Sequence, residues 1–206
     1  MGSNGKDRPA LLLHSCCGPC STAVVERLAE DYRITLFFYN PNITEAGEYR
    51  KRFSAQEQFV KAWRAGGRAP GDRESESELE LLEGPWEPEA FYEAVRGLEE
   101  EPEGGRRCYE CFRLRLGETA RKAAAGGYHC FGTTLSVSPH KDWAALCAIG
   151  RELEKETGVV FLAEDFKKKA GYQRSVQLSR EYGLYRQSFC GCQFSREQKK
   201  GVKDNL

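Results

Sequence analysis

The chain has 206 residues, 40% hydrophobic and 30% charged, with 31 Lys+Arg against 31 Asp+Glu. That length suits one well-cored domain, and the composition is that of an ordinary globular protein. The balanced charge excludes binding to nucleic acid through a global basic field, while leaving room for a local basic patch.

No run of 18 apolar residues offers a membrane span, so no membrane partner is expected. The N-terminal "MGSNGKDRPA" lacks the apolar core of a signal peptide. It also has Lys6 where N-myristoylation needs Ser or Thr. The expected location is the cytoplasm.

"ALLLH" (10–14) is a short apolar run, a first strand, that stops at "SCCGPC". "STAVVERLAEDY" (21–32) has apolar residues at helical spacing behind a Ser/Thr start suited to an N-cap. "RITLFFYNPN" (33–42) reads as a buried strand halted by Asn-Pro-Asn. Strand, helix, strand is a βαβ unit and implies a parallel sheet. Residues 44–65 form a charged helix with Phe53, Phe59 and Trp63 for its inner face. The Gly-, Pro- and charge-rich stretch 64–88 is expected to be a surface excursion, with a short acidic helical segment near 74–83. An amphipathic helix follows over 87–101, then another from Cys108 to about Ala125. Residues 127–138 are strand-like, and a helix opens with Pro139 and ends at Gly158, with Asp142 as a candidate cap. A short strand (159–165), a last helix (171–183) and an irregular tail complete the pattern. The expected fold is a single α/β domain over 10–196, a parallel sheet of four or five strands flanked by helices. Flexible termini are expected at 1–9 and 197–206. Ligands of such sheets sit beyond the carboxyl ends of the strands, where "HSCCGPC" (14–20) follows the first strand.

Nine cysteines in a cytoplasmic chain require a reason, and a disulfide scaffold belongs to small secreted proteins. Six of the nine fall in three tight groups: Cys16 and Cys17, Cys108 and Cys111, Cys190 and Cys192. Cys108 and Cys111 lie one turn apart at a helix start, where unpaired N–H groups and Arg106 and Arg107 favour thiolates. Cys190 and Cys192 flank Gly191, which can turn the chain and splay them. The adjacent Cys16 and Cys17 tend to diverge, which suits two neighbouring centres. Cys20 could be a ligand or a structural residue. Cys130 and Cys147 read as small core residues. A structural zinc needs only four thiolates and usually two close Cys-x-x-Cys pairs. A thioredoxin-like dithiol stands alone on one helix and recruits no others. An iron–sulfur site with an additional metal or an open position accounts best for the surplus. His14, His129 and His140 read as hydrogen-bonded structural residues, and Tyr109 could donate a proton, stack on a base or pack.

The stretches "LLLHSCCGPCS", "GLEEEPEGGRRCYECFRLRLGETA", "TTLSVSPHKD" and "KKKAGYQRSVQLSREYGLYRQSFCGCQFS" together resemble the epoxyqueuosine reductase QueH family from about residue 10 to 196. The resemblance implies an oxidoreductase acting on tRNA in queuosine biosynthesis. The epoxide of epoxyqueuosine is removed with two electrons and two protons, oxygen leaving as water. It implies a 4Fe-4S cluster with one additional iron ion, no cobalamin, and an unidentified electron donor. It places metal ligands at Cys16, Cys17, Cys20, Cys108, Cys111, Cys190 and Cys192, and leaves the catalytic proton donor unassigned. The fold it implies is the Rossmann-type (HUP) fold of the ATP pyrophosphatases, with the first loop modified: Cys16 and Cys17 replace the glycines that let backbone approach phosphate. A tRNA substrate makes Lys167, Lys168, Lys169, Tyr172 and Arg174 in "FKKKAGYQR" candidate tRNA-binding residues. The alternative is a zinc-stabilised tRNA- or protein-binding module without redox chemistry.

Overall fold

In the computed structural model, which describes residues 8–66 and 79–197, five strands form one sheet: β1 (Ala10–His14), β2 (Arg33–Phe38), β3 (Leu79–Glu83), β4 (Cys130–Thr133) and β5 (Val160–Phe161). Every pairing is parallel and the order is β3-β2-β1-β4-β5. Six helices connect and cover the strands: α1 (Gly18–Leu28), α2 (Ala46–Arg64), α3 (Pro88–Ala94), α4 (Arg106–Ala125), α5 (Trp143–Thr157) and α6 (Gly171–Glu181). The expected α/β architecture is therefore present.

The central strand shows why the sheet is covered on both faces. Successive side chains of a strand point to opposite sides. Leu11 and Leu13 enter one core with Val24, Phe59 and Trp63. Leu12 enters the other with Phe112, Leu116, Phe131 and Ile149. All three leucines are fully buried, each worth about 1.5–3 kcal/mol against exposure. An uninterrupted apolar run is what a doubly covered parallel strand requires.

Three expectations are revised. Helix α1 begins at Gly18, so Ser21 and Thr22 lie inside it and Cys17 is the N-cap. Pro19 in the first turn, which needs no N–H there, allows the earlier start. Residues 79–83, expected to end an acidic helix, form β3 against β2; the remainder of that segment lies outside the described residues. Leu79 and Leu81 pack toward one sheet face and Leu82 toward the other, a strand alternation hidden among glutamates. Helix α3 ends at Ala94 because Gly97 takes φ +77 and the carbonyls of Leu98, Glu99 and Glu101 turn to the Arg107 guanidinium. By contrast, Asp142 does cap α5, accepting from Ala144 and Ala145 N–H, and Gly158 closes it with φ 74. The terminal segments 1–7 and 198–206 lie outside the described residues. No described helix is long and apolar enough to cross a membrane.

The strand order reverses direction between β1 and β4. Loops leaving the carboxyl ends of these two strands diverge, and that crevice is the usual ligand site of such sheets. Cys16 and Cys17 follow β1 after Ser15, and the segment after β4 carries His140 and Lys141.

Candidate metal centre

The first group of sulfurs is built by the start of α1. Cys17 is extended (φ −172, ψ 153) and Cys20 follows in the first helical turn. Gly18 permits the close seat of this turn on α2, since a Cβ there would lie 2.6 Å from the Ala55 carbonyl oxygen. The sulfurs of Cys16, Cys17 and Cys20 lie within 4.8 Å of one another, with Cys16 and Cys17 3.9 Å apart. The expected divergence of the adjacent pair is thus corrected: extended backbone at the cap brings both sulfurs to the same corner. Metal–sulfur bonds of about 2.3 Å can span such a separation.

Charge is unevenly shared in this corner. Cys17 is held well below the ordinary thiol pKa, because Cys16 and Cys20 both hydrogen-bond to it and the Arg52 charge assists. Gln187 Nε2 also donates to Cys17 Sγ at 3.0 Å. Cys16 and Cys20 are pushed up, chiefly as the hydrogen-bond partners within the trio. Within the trio, deprotonation is therefore favoured at Cys17.

The second group combines α4 with the tail. Cys108, Cys111 and Arg115 recur at helical spacing and are all buried. Cys108 Sγ accepts from the Gly104 N–H at 3.2 Å. Burial raises Cys111 to about 11, with Arg115 opposing and Cys190 and Cys108 adding to the rise. In the tail, Gly191 takes φ +116 between Cys190 and Cys192, a turn that only glycine accommodates easily. Arg52, ion-paired to Glu48 at 2.6 Å, donates to the carbonyls of Cys190 (2.9 Å) and Phe189 (3.0 Å) and so fixes this turn. The Cys190 pKa is lowered well below normal by its hydrogen bond from Cys192, with Lys141 and Arg115 helping. Cys192 is raised by the same pairing, and Ser195 N–H donates to its sulfur at 3.4 Å. Cys111 and Cys192 share an apolar cluster with Phe91 and Val95.

Both groups open onto one cavity of ≈ 330 Å³, lined by Cys16, Cys20 and Cys190. Its wall also carries Arg115, Lys141 and Glu103, residues that the motifs alone leave without a role. Lys141 Nζ lies 3.4 Å from Cys190 Sγ and 3.2 Å from Glu103 Oε1, while Ser195 Oγ donates to the other Glu103 oxygen at 2.8 Å. Although burial disfavours its charge, the neighbouring Cys190 and Glu103 raise the Lys141 pKa. A sequence signal for Arg115 exists: it stands four residues after Cys111 on the same helix face. No comparable signal marks Glu103 and Lys141, which come from different loops.

The remaining candidates separate clearly. Tyr172 is 39% exposed and lines the cavity, as does the exposed His140. Lys168 and Lys169 are exposed. Lys167 Nζ instead donates to the Lys141 carbonyl at 3.1 Å, and Arg174 is engaged in a two-pronged pair with Glu26 at 2.8 and 2.6 Å. Arg107, expected to favour the thiolates, donates to the carbonyls before α4 and lies over the Phe194 ring. Buried His14 bonds Thr133 Oγ1 and the Tyr39 carbonyl, and burial lowers its pKa to about 4. It is a neutral structural histidine. His129 accepts from Ala10 N–H, Tyr109 packs against the core, Cys130 is buried in it, and Cys147 is half-buried on α5.

Residues 11–198 match the family model described as "Epoxyqueuosine reductase QueH". The chain is 40% identical over 188 residues to the epoxyqueuosine reductase QueH of Streptococcus pyogenes serotype M1, covering 91% of this chain and 71% of the relative. It is 38% identical over 198 residues to that of Staphylococcus epidermidis, covering 95% and 79%. With that of Thermotoga maritima the identity is 35% over 185 residues, covering 90% and 89%. The chain belongs to the epoxyqueuosine reductase QueH family.

Proposed function

We propose that this chain reduces epoxyqueuosine in the anticodon loop of tRNA to queuosine, at the cavity lined by cysteines of its first and last cysteine segments. The observation that carries the reading is this convergence: Cys16, Cys20 and Cys190, from segments 170 or more residues apart, line the same cavity in a member of this family. The reaction consumes two electrons from an external donor and two protons. The C–O bonds of the epoxide break, an alkene remains, and the oxygen leaves as water.

The donor set suits iron. It is all soft sulfur, it contains groups poised as thiolates at Cys17 and Cys190, and it exceeds what one tetrahedral ion can use. We assign Cys16, Cys17, Cys20, Cys108, Cys111, Cys190 and Cys192 to hold a 4Fe-4S cluster and one additional iron. Bound there, these would supply electrons singly and a Lewis-acidic position for oxygen.

The chain's other residues prepare the substrate. A cavity of ≈ 330 Å³ has the size of a small-molecule pocket and is too small for a paired stem. The wobble base therefore leaves its stack to enter. Tyr172 at the rim offers an aromatic face to it, and exposed Lys168 and Lys169 offer charge to the adjoining phosphates. Lys141, oriented by Glu103, presents ammonium N–H groups at the cavity wall, where departing oxygen needs a proton.

The test is to purify the chain without oxygen, reconstitute it, and measure iron, sulfide and zinc, then assay loss of epoxyqueuosine from tRNA. About four sulfides and five irons per chain, with reductase activity, are the expected result. Zinc near one per chain with no sulfide and no activity would overturn the reading and leave a zinc-stabilised binding module.

A further inference from the structure

Three arginines are almost completely removed from solvent: Arg52, Arg107 and Arg115, each 1% exposed. Burying a guanidinium is costly unless its charge and N–H groups are met. Arg52 meets Glu48 and two carbonyls. Arg107 directs Nη1 to three carbonyls and lies 5.0 Å from the Phe194 ring centroid, its Nε and Nη2 buried against that apolar wall without hydrogen-bond partners.

Arg115 differs from Arg107 in its place, at the cavity that the cysteines line. Its Nε donates to the Cys111 carbonyl at 3.2 Å, and its guanidinium carbon stands 5.6 Å from the Phe112 centroid. Its Nη2 is fully buried without a hydrogen-bond partner, and the residue lines the cavity. Among the described residues it makes no ion pair with a carboxylate. Cysteines of both sets neighbour it: Cys111, whose carbonyl takes its Nε, and Cys16 and Cys190, which line the same cavity. A fully buried cation thus lines the cavity onto which both cysteine groups open.

We propose that Arg115 is the fixed counter-ion of the metal–thiolate centre, a positioning residue whose buried charge and free Nη2 donor stabilise the centre's reduced form. The inference rests on the metal-binding reading above. Reduction adds negative charge to a centre already rich in thiolates. A cation held in a low-dielectric wall stabilises the reduced state more than the oxidised one, and so raises the potential. A hydrogen-bond donor to a cluster sulfur acts in the same direction. Arginine suits the place because its charge is not lost on burial and its planar fork is held by the Cys111 carbonyl.

The experiment uses the full chain, anaerobically reconstituted, as wild type, Arg115→Met and Arg115→Lys. Metal and sulfide content are measured first, then the midpoint potential by redox titration followed by absorbance and electron paramagnetic resonance. The expected result is a centre in Arg115→Met that is harder to reduce. Its oxidised-to-reduced ratio at fixed potential should rise at least tenfold, about 59 mV for one electron, with Arg115→Lys recovering most of the shift. A fully loaded Arg115→Met with the wild-type potential overturns the proposal while leaving the metal reading intact. A wild-type chain that takes up neither iron nor sulfide overturns both. Should Arg115→Met not load, Arg115→Gln, which keeps N–H donors without the charge, is titrated with the same two outcomes.

Discussion

Replacing Gly191 by alanine tests whether the tail turn is what orients Cys190 and Cys192. Gly191 has φ +116, a backbone region disfavoured for residues with a side chain, and such strain costs about 1–3 kcal/mol. An added Cβ would also stand 2.9 Å from Ile43 Cγ1 and 3.2 Å from Arg52 Nη1. Neither neighbour can easily yield: Ile43 is fully buried, and Arg52 is tied to Glu48 and two carbonyls. Overpacking of this kind costs about 1–3 kcal/mol more. The sum, about 2–6 kcal/mol, corresponds to a fall in Tm of roughly 4–24 °C for a chain this size. Thermal unfolding of the metal-free protein measures it, and alkylation rates of Cys190 and Cys192 report whether the sulfurs have moved. Gly47→Ala is the control, because the only heavy atom near its new Cβ is a flexible Glu45 oxygen at 3.9 Å. That change should be neutral or stabilising by up to about 1 kcal/mol. A Gly191→Ala variant with wild-type Tm and unchanged alkylation would refute the argument.

Other substitutions probe the same architecture. Arg52→Met strips the buried Glu48 of its cation and should cost about 3–5 kcal/mol, read by urea unfolding, with faster proteolysis of the tail that Arg52 no longer pins. Cys111→Ala should lower iron and sulfide content, whereas Cys130→Ala and Cys147→Ser should leave both unchanged; metal analysis decides. Replacing Lys168 and Lys169 together by alanine should weaken tRNA binding. It should also flatten the slope of log affinity against log salt by about 0.7–0.9 for each phosphate no longer neutralised. Arg174→Ala should leave that slope unchanged and cost at most about 1 kcal/mol of stability, since its half-exposed guanidinium is engaged with Glu26.

Much of this protein was legible in its residues. The run Leu11–Leu13 announces a doubly covered strand because burial on both faces removes the need for polar alternation, and Asp142 and Gly158 mark the ends of α5 by local backbone chemistry alone. The three cysteine groups are likewise visible, since thiolates clustered at helix starts and glycine turns have few uses besides metal. What the residues could not settle depended on neighbours distant in sequence. The strand Leu79–Glu83 exists because β2 supplies its hydrogen bonds, and α3 stops where Arg107 competes for the following carbonyls. Adjacent Cys16 and Cys17 share one corner because Cys17 is extended at the start of α1, whose close seat on α2 Gly18 permits. Arg115, Lys141 and Glu103 gained their places only when α4 and two loops closed on the tail, for the charge a side chain feels is set by neighbours that the order of the chain does not reveal.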